Sequence, residues 1–485
     1  MRVVFAASEC TPFAKTGGLA DVVGALPREL AKLGHEVSVY IPFYSRVRKQ
    51  IEGEPKYVIR SLTIPFRYYN RFVGVVDGGR HDNVQYYFID APELFDRREL
   101  YGPSGGEYTD NAERFALFCR AVIESAKLIG VPQVFHVHDW QAALIPVYLK
   151  TVYAADPLLR GAATVMTIHN AGYQGKFPPN TTEQLLLPWD VFTMDKLEMY
   201  DRFNFLKGGL VFSDMLTTVS RKYAEEIQTP EFGEHLDGVL KRRAADLRGI
   251  LNGVDYSLWN PATDGNLAAH YSPESLAGKK DCRADLLHAF GLEEIADATP
   301  VIGIISRLAT QKGFDIVAKI TEELARRDVA IVALGAGDPS YENVFRNWAI
   351  RHASSVAVRI GYDEALSHKI EAGADMFLMP SRYEPSGLNQ MYSLKYGTVP
   401  IVRATGGLDD TIEEWDAVAG KGTGFKFAGF DPNDLLAEID RAIKAFGDKA
   451  GWTRLMLNGM ARDYSWTLPA QQYVKVYEEA AQRRA

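Results

Sequence analysis

Short apolar runs alternate with longer amphipathic stretches along most of the chain. In the first half, buried strands are predicted at 3–7, 37–41, 134–137 and 163–168. The segment 19–26 carries apolar residues in the i, i+3, i+4, i+7 stripe of a helix, and a longer helix is predicted at about 110–130. Strands separated by helices in this way predict an α/β fold with a mostly parallel sheet and helices on both faces.

Three segments of the first half have a different pattern. Residues 58–69, 71–77 and 83–89 alternate apolar and polar positions, which is typical of antiparallel strands with one face exposed. They contain the pairs Tyr68-Tyr69 and Tyr86-Tyr87. Because tyrosine is common in strands, we interpret both pairs as sheet residues rather than as a ligand platform.

The second half repeats the strand and helix rhythm more regularly. Strands are predicted at 300–305, 329–335, 356–360, 376–379 and 399–402, with helical patterns in every gap. Five such units in a row predict a doubly wound sheet, in which ligands bind outside the carboxyl ends of the strands. The turn-rich passage 251–255 marks a domain boundary. A final helix, at about 469–484, carries Tyr473, Val476 and Tyr477 on one side, which must be buried.

Length, charge and cysteine content limit the class of protein. A chain of 485 residues is too long for one core, so at least two domains are expected. A net charge of −8 argues against a nucleic-acid surface. Cys10, Cys119 and Cys282 are odd in number and far apart, so no disulfide framework is indicated. With no leader and no membrane-length apolar run, we expect a cytoplasmic protein without membrane partners. The sequence indicates no oligomeric state.

The first strand is followed by a lysine, two glycines and the start of a helix. Free amides of a first helical turn attract anions, and glycine lets a ligand approach them closely. Lys15, Gly17 and Gly18 therefore form a candidate site for a phosphate-bearing ligand, although an ordinary tight turn with a solvated lysine fits the same pattern. Residues 405–410 repeat the motif almost letter for letter between a predicted strand and helix, which predicts a second anion-friendly helix start.

Polar clusters follow several other predicted strands. Ser306-Arg307 and Lys312-Gly313 place two cations after the first strand of the second domain. Residues 381–388 follow its fourth strand and carry Glu384. In the first domain, 136–140 and 167–170 place histidine, aspartate and asparagine at strand ends. Because the carboxyl ends of parallel strands share one sheet edge, these groups predict a ligand site.

Missing motifs exclude several other enzyme classes. The sequence has no G-x-x-x-x-G-K-[ST], no G-x-G-x-x-G at the first helix and no G-x-S-x-G, which argues against P-loop nucleotidases, nicotinamide dehydrogenases and serine hydrolases. His136 and His138 lie two apart on one strand face. Without cysteines or H-E-x-x-H nearby, a structural histidine pair is favoured over a metal site.

Taken together, the motifs at 15–22, 136–140, 167–170, 306–313, 381–388, 395–400 and 405–408 resemble bacterial glycogen synthase. The resemblance covers essentially the whole chain in order. It implies a GT-B fold with two Rossmann-like, doubly wound domains facing a deep interdomain cleft. The implied domains are an acceptor-side domain at 1–250, a donor-side domain at 251–460 and a helix at 461–485 that crosses back to the first domain.

The resemblance also implies a reaction and its participants. Glucose would pass from ADP-glucose, with release of ADP, to the non-reducing end of an α-1,4-glucan such as glycogen or a maltooligosaccharide. The anomeric configuration would be retained, and no metal or other cofactor would be needed. A second glutamate, eight residues after Glu384 in UDP-glucose relatives, is replaced by Tyr392, as in the ADP-glucose enzymes. Ser386 stands where some relatives carry cysteine.

Site residues carry over from the family position by position. Those implied in catalysis are Glu384, which would bind hydroxyls of the donor glucose, Arg307 and Lys312, which would neutralise the diphosphate, and His169, which would lie over the reacting sugar. Those implied in donor binding are Lys15, Gly17, Gly18, Tyr362 (stacked on adenine), Ser386, Gly387, Leu388 and Thr405. Those implied in sugar or acceptor binding are Glu9, Asp21, Asp139 and Asn170.

The chemistry agrees with these roles from first principles. Breaking a glycosyl–phosphate bond develops negative charge on the diphosphate, which fixed cations and amide dipoles stabilise. A retaining glycosidase would need two carboxylates about 5 Å apart, whereas Glu384 is the one strong candidate. A front-face, leaving-group-assisted transfer is therefore the favoured mechanism. Two alternatives stay open: another retaining glycosyltransferase that uses UDP-glucose or makes a sucrose-type product, and a non-enzymatic glucan-binding protein with the same fold.

Overall fold

The computed structural model describes residues 1–103 and 106–484, which divide into two compact units. Unit 1 comprises Met1–Gly253 together with the C-terminal segment that begins at Trp466, and unit 2 comprises Val254–Ser465. The predicted boundaries, at 250/251 and 460/461, lie a few residues before these positions.

The helices and strands alternate along both units. The strands are β1 (Arg2–Ala6), β2 (Glu36–Pro42), β3 (Tyr57–Pro65), β4 (Asn70–His81), β5 (Val84–Asp90), β6 (Val134–His138), β7 (Ala163–Ile168), β8 (Lys176–Phe177), β9 (Glu198–Met199), β10 (Arg202–Asn204), β11 (Met215–Thr218), β12 (Leu247–Gly249), β13 (Val301–Ile305), β14 (Ala330–Gly335), β15 (Val356–Ile360), β16 (Met376–Met379), β17 (Val399–Arg403) and β18 (Phe425–Phe427).

The α-helices are α1 (Gly18–Lys32), α2 (Ser45–Arg48), α3 (Pro92–Phe95), α4 (Asn111–Ile129), α5 (Asp139–Ala142), α6 (Leu144–Lys150), α7 (Thr181–Gln184), α8 (Phe205–Phe212), α9 (Arg221–Glu226), α10 (Asp237–Arg242), α11 (Ala277–Phe290), α12 (Phe314–Ala325), α13 (Pro339–Arg351), α14 (Glu364–Gly373), α15 (Asn389–Lys395), α16 (Gly406–Thr411), α17 (Pro432–Phe446), α18 (Lys449–Met460) and α19 (Thr467–Gln482). Short 3₁₀ helices occur at Trp189–Val191, Ala244–Asp246 and Thr310–Lys312.

A nine-stranded sheet forms the centre of unit 1. Its order is β12-β11-β7-β6-β1-β2-β5-β4-β3. The strands from β12 to β5 pair in parallel, whereas β5, β4 and β3 pair antiparallel. Both the parallel core and the antiparallel edge agree with the predicted patterns. A small antiparallel sheet, β8-β10-β9, was not anticipated because strands of two or three residues are too short to show a period.

The prediction that Tyr68 and Tyr69 are sheet residues is wrong. β3 ends at Pro65 and β4 begins at Asn70, so both tyrosines lie in the connecting turn. The turn is closed by the amide of Phe66, which donates to the Tyr69 carbonyl at 2.8 Å. Tyrosine's strand preference was overridden here by the need to reverse the chain direction. Tyr86 and Tyr87 do lie in β5, as predicted.

The core of unit 1 explains why the C-terminal helix belongs to it. The apolar stripe of α1, predicted from its spacing, is buried against the sheet. On α19, Tyr473, Val476 and Tyr477 are also buried and join the same core. The Tyr477 hydroxyl reaches Nδ1 of His136 on β6 at 2.8 Å. The apolar side of the last helix is therefore covered by the first sheet.

Unit 2 is built on a six-stranded parallel sheet. Its order is β15-β14-β13-β16-β17-β18, the 3-2-1-4-5-6 order of a doubly wound fold. Helices cover both faces and bury separate apolar clusters on each side. Five of the six strands were predicted. β18 was missed because its three residues, Phe425–Phe427, follow a long glycine-rich loop and show no clear period.

Candidate active site

The main charged candidates of each unit lie at or beside the point where its strand order reverses. In unit 1 this point lies between β1 and β6, and in unit 2 it lies between β13 and β16. Crossovers leave in opposite directions there, which opens a crevice at the carboxyl ends of the strands. We call the group Glu9, Lys15, Gly17, Asp139 and His169 the N-terminal cluster, and the group Arg307, Lys312 and Glu384 the C-terminal cluster.

Glu9 organises the glycine loop of the N-terminal cluster. Its carboxylate accepts hydrogen bonds from the Thr16 amide, from the Thr16 hydroxyl at 2.6 Å and from the Gly17 amide at 3.2 Å. The Tyr101 hydroxyl also donates to it. Glu9 is 4% exposed. A buried carboxylate with this many donors fixes the loop conformation, so Glu9 acts on the loop rather than presenting a free carboxylate to a sugar.

Lys15 and Gly17 present the loop's outer surface. Lys15 Nζ donates to Oδ1 of Asp21 at 2.7 Å, which holds the ammonium beside the first turn of α1. Gly17 is the N-cap of α1, and a Cβ placed on it would meet no atom within 4 Å. Gly18 begins the helix. The loop therefore offers an ammonium and a helix N-terminus next to open space, which suits an anionic or polar ligand.

Asp139 lies at the junction between β6 and α5 in a left-handed conformation, with φ of 52°. Its carboxylate accepts the backbone amide of His169 at 2.7 Å. Burial raises the pKa of Asp139 to about 7, against the opposing effect of the His169 and Asn170 amides. The side-chain oxygen of Asn170 accepts a hydrogen bond from the Gly172 amide at 2.9 Å. Asp139 therefore holds the backbone that carries His169.

His169 also has a side-chain partner. Its Nε2 lies 3.0 Å from Nδ1 of His138. Burial lowers the pKa of His169 to about 3, so the imidazole is neutral at physiological pH. His136 lies two residues before His138 on β6. It is hydrogen bonded to Tyr477 and Thr167 and takes a structural role. Both ring nitrogens of His136 and Nδ1 of His138 are thus hydrogen bonded within the protein.

The C-terminal cluster is centred on a buried carboxylate. Glu384 follows β16 and is 5% exposed. Its Oε2 accepts Lys312 Nζ at 2.6 Å and the Ser381 hydroxyl at 3.1 Å. Arg307 follows β13, is exposed, and donates to Gln311 at 3.1 Å. An ammonium carries three donors, so Lys312 can hold Glu384 and still bind a second anion.

The remaining donor-side candidates fall into an exposed group and a buried group. Tyr362 is 78% exposed, so its ring face is accessible. Ser386 and Thr405 are buried, at 7% and 1% exposed. Gly387 has φ of 65°, the left-handed conformation that glycine adopts most easily, and Leu388 is the N-cap of α15.

The repeated Thr-Gly-Gly motif at 405–407 is not a second open helix start, contrary to the prediction. Gly406 and Gly407 are packed against the backbone of 384–386, where a Cβ on either would overlap the carbonyls of Glu384 and Ser386. The Gly407 amide donates to the Glu384 carbonyl at 3.0 Å. These glycines support the Glu384 loop by allowing close backbone approach.

Sequence reasoning missed three supporting residues. Tyr101 and Ser381 donate to the two key glutamates, and Gln311 contacts both Arg307 and the loop after β16. Ser381 could have been found, since it directly follows a predicted strand. Tyr101 lies in an irregular segment far from Glu9 in sequence, and no pattern indicates that contact.

The described residues contain neither a candidate metal cluster nor a candidate membrane-spanning helix. Among residues 1–103 and 106–484, no group of three or more histidine, cysteine, aspartate or glutamate side chains could hold a metal ion. In the same described part of the chain, no helix is long and apolar enough to cross a membrane.

Comparison with known proteins gives full-length matches. Residues 2–242 match the family described as Starch synthase catalytic domain, and 291–449 match Glycosyl transferases group 1. The chain is 58% identical to a glycogen synthase of Koribacter versatilis, over 100% of this chain and 99% of that protein. It is 48% identical to a glycogen synthase of Anaeromyxobacter dehalogenans (strain 2CP-C), over 99% of this chain and 100% of the relative.

Solved structures match over the same length. The catalytic domain of Starch Synthase IV from Arabidopsis thaliana, bound to ADP and acarbose, aligns with a TM-score of 0.89 and 32% identity over 99% of both chains. Sucrose-phosphate synthase from Thermosynechococcus elongatus aligns with a TM-score of 0.60 and 17% identity over 99% and 98%, and shows the fold alone. The predicted fold class, α/β of the GT-B type with two Rossmann-like domains, is confirmed.

Proposed function

The chain belongs to the family of bacterial glycogen synthases, and we propose that it transfers glucose from ADP-glucose to the non-reducing end of an α-1,4-glucan with retention of anomeric configuration. The chain is a hexosyltransferase of glycogen biosynthesis. The observation that carries the finer assignment is the ion pair between Lys312 and the buried Glu384 at the strand-order reversal of unit 2, with Arg307 on the neighbouring strand end.

The C-terminal cluster stabilises the leaving group. As the glycosyl–phosphate bond breaks, negative charge accumulates on the diphosphate, and preorganised cations lower the energy of that state. Arg307 is exposed and Lys312 retains two ammonium hydrogens beyond the one given to Glu384. Both follow β13, so both reach the same end of the sheet. These two cations compensate the negative charge on the diphosphate, a task that a metal ion would otherwise perform. Their presence supports a metal-independent transfer.

Glu384 binds and orients the donor glucose. Its carboxylate already accepts hydrogen bonds from Lys312 and Ser381. Because these bonds disperse the negative charge of the carboxylate, Glu384 is a weak nucleophile. The remaining oxygen, Oε1, is available to accept from sugar hydroxyls. An orienting carboxylate beside a leaving-group cation fits the front-face, leaving-group-assisted mechanism, in which the acceptor hydroxyl attacks on the side from which ADP departs. That geometry retains the anomeric configuration.

The donor nucleotide is held by residues on the surface of unit 2. Tyr362 has an exposed ring suited to stacking on adenine. Backbone groups of Ser386, Gly387 and Leu388 come two to four residues after Glu384 and are assigned to the sugar–phosphate end. Thr405 precedes the two glycines that pack against their loop. ADP as the nucleotide is supported by the bound ADP of the Arabidopsis structure and by Tyr392 in place of a second glutamate.

The N-terminal cluster holds the sugars. Lys15, the open space beside Gly17 and the amide of Gly18 are assigned to the donor phosphate or the sugar beside it. His169, neutral and partly exposed, lies over the reacting glucose. Asp21 and Asn170 lie next to these groups and are assigned to sugar hydroxyls, whereas Asp139 and Glu9 hold the backbone around them.

The test is an assay of donor preference. Purified protein is incubated with glycogen and either ADP-glucose or UDP-glucose, with and without EDTA, and released nucleotide and incorporated glucose are both measured. We expect equal amounts of ADP and incorporated glucose, little reaction with UDP-glucose, and no effect of EDTA. Preference for UDP-glucose would overturn the donor assignment. Nucleotide release without incorporation would overturn the acceptor assignment, and glycogen binding without either activity would indicate a glucan-binding protein.

A further inference from the structure

Two histidines of unit 1 contact each other where adjacent strands end. His138 is the last residue of β6, and His169 directly follows β7. The strands pair in parallel, with His138 opposite Thr167. This register brings Nδ1 of His138 to 3.0 Å from Nε2 of His169. A contact of this length between two ring nitrogens is a hydrogen bond, and one of the two nitrogens must carry the hydrogen.

The other nitrogen of His138, Nε2, has no hydrogen-bonding partner among the residues that the structure describes. His138 is 0% exposed, stacked on Phe5 with ring centres 5.4 Å apart, and 4.2 Å from the ring of His136. Within residues 1–103 and 106–484, its Nε2 is buried and meets no hydrogen-bonding group. A buried N–H without an acceptor is rarer and more costly than a lone pair facing aromatic carbon. The proton of a neutral His138 therefore belongs on Nδ1.

Both rings are neutral at physiological pH. Burial, and then the neighbouring histidines, lower the pKa of His138 well below its ordinary value. Burial also lowers the pKa of His169 to about 3. Each neutral imidazole carries a single ring proton, so the position of one proton determines the donor and acceptor ends of that ring.

We propose that His138 is a positioning residue that fixes the tautomer of His169. Nδ1–H of His138 donates to Nε2 of His169, which leaves the single proton of His169 on Nδ1. His169 then presents a hydrogen-bond donor, not an acceptor, at its other nitrogen. The consequence for catalysis rests on the proposed function: a fixed donor over the donor glucose would bind a sugar hydroxyl in one orientation throughout the transfer.

The neighbouring histidine does not impose a tautomer in this way. His136 bonds to the hydroxyls of Thr167 at 2.6 Å and Tyr477 at 2.8 Å. Hydroxyls donate or accept, so either tautomer of His136 is satisfied. His138 differs because its Nδ1 faces a partner, whereas its Nε2 faces none in the described part of the chain. The backbone of His169 is separately held by Asp139, so the His138 contact governs the ring rather than the loop.

The proton positions are measured directly by NMR. Protein labelled with ¹⁵N-histidine gives two-bond ¹H–¹⁵N ring correlations whose pattern distinguishes Nδ1–H from Nε2–H tautomers. Signals are assigned by their loss in His138→Asn and His169→Gln. We expect both rings as Nδ1–H tautomers at pH 7.5. His169 observed as the Nε2–H tautomer would overturn the proposal, and this reading does not depend on whether the protein transfers glucose.

Kinetics test the consequence with a matched pair of substitutions. In His138→Asn the amide NH₂ stands close to the former Nδ1–H, whereas His138→Leu has similar bulk and no donor. The loss of one hydrogen bond predicts a fall in kcat of about tenfold or more for His138→Leu, with KM for glycogen unchanged and substantial rescue in His138→Asn. The exposed His288 gives control variants, His288→Leu and His288→Asn, which should behave as wild type.

Two outcomes decide the catalytic part. Rescue by asparagine, together with a mixed His169 tautomer in the leucine variant, supports the positioning role. Equal loss in both variants, with His169 still an Nδ1–H tautomer, overturns it, because His138 would then act only through packing. Absence of transfer activity in the wild-type protein would refute the proposed function but not the tautomer assignment. The NMR measurement would still confirm or overturn that assignment.

Discussion

Replacing Gly17 with alanine tests whether the glycine is required for folding or for ligand binding. Gly17 has φ of −160° and ψ of −170°, an extended conformation that any residue adopts. A Cβ at this position meets no atom within 4 Å. Nothing in the folded chain therefore requires a glycine at 17. We infer that the open space is used by the donor, whose phosphate or sugar approaches the start of α1.

The expected change in stability is small. Alanine restricts the unfolded chain, which stabilises the fold by about 0.4–1 kcal/mol. Alanine is also a poorer N-cap than glycine, which costs up to about 1 kcal/mol. These effects oppose each other, so the net change in the free energy of unfolding should lie within about 1 kcal/mol of zero.

The expected change in activity is much larger. The methyl group would occupy the space that a ligand atom needs to reach the Gly18 amide. Losing one contact to the transition state costs on the order of 3 kcal/mol, or about a hundredfold in kcat. Gly17→Ala should thus fold normally and lose about two orders of magnitude in activity.

Two other glycines calibrate the experiment. Gly161 also has no atom within 4 Å of a Cβ, and it precedes β7, at the opposite end of the strand from His169. Gly161→Ala should keep both stability and activity. Gly407→Ala should destabilise unit 2, because a Cβ there overlaps the Ser386 carbonyl. Stability is measured by urea denaturation, and activity by glucose incorporation from ADP-glucose.

A result within threefold of wild-type activity, with a normal fold, would refute the inferred role of Gly17, because no ligand atom could then occupy that space. Loss of the fold in Gly17→Ala would show instead that the glycine serves the loop itself.

Three further predictions concern the two clusters and the last helix. Lys312→Ala and Glu384→Gln should each lower kcat about a hundredfold or more with native circular dichroism, and near-normal turnover in either would exclude its assigned role. Folding raises the pKa of Asp139 from 3.8 to about 7, so the protonated carboxyl favours the folded state. This contribution to the free energy of unfolding is complete below pH 3.8 and is lost as the pH rises to 7. The stability advantage of wild type over Asp139→Asn, measured by urea denaturation, should therefore shrink by up to about 1.4 kcal/mol per pH unit between pH 5 and 7, and a constant difference would contradict the burial effect. Tyr477→Phe leaves Nδ1 of His136 unpaired and should cost about 1–3 kcal/mol of unfolding free energy, with kcat unchanged; full stability would show that the hydroxyl is dispensable.

The fold was predictable because its elements are long and their burial is one-sided. The stripe of α1 and the buried runs of β1 and β13 have clear periods, and parallel strands buried on both faces have few other interpretations. The missed strands, β8 to β12 and β18, are two to four residues long and depend on tertiary contacts. Tyr68 and Tyr69 were misplaced because strand propensity does not locate a turn.

The site was predictable in its location and less so in its internal contacts. The sheet order brings the ends of β13 and β16 together, so Arg307, Lys312 and Glu384 lie at one edge of the sheet, and their part in catalysis stays a prediction. The partners of Glu9 could not be predicted in the same way. A carboxylate can face a ligand or an amide of its own loop, and small differences in the backbone conformation decide between the two. The sequence pattern does not indicate such small differences.

The two Thr-Gly-Gly motifs show how one local sequence serves two physical purposes. At 16–18 the glycine faces open space, and its amide is held in place by Glu9. At 405–407 the glycines lie against the backbone of the Glu384 loop, where any side chain would overlap it. Alanine at the first motif should therefore remove activity and keep the fold, whereas alanine at the second should disturb the fold and, through it, Glu384. If both motifs instead lost activity with the fold intact, Gly406 and Gly407 would have to act on the ligand directly, and the supporting role assigned to them would be wrong.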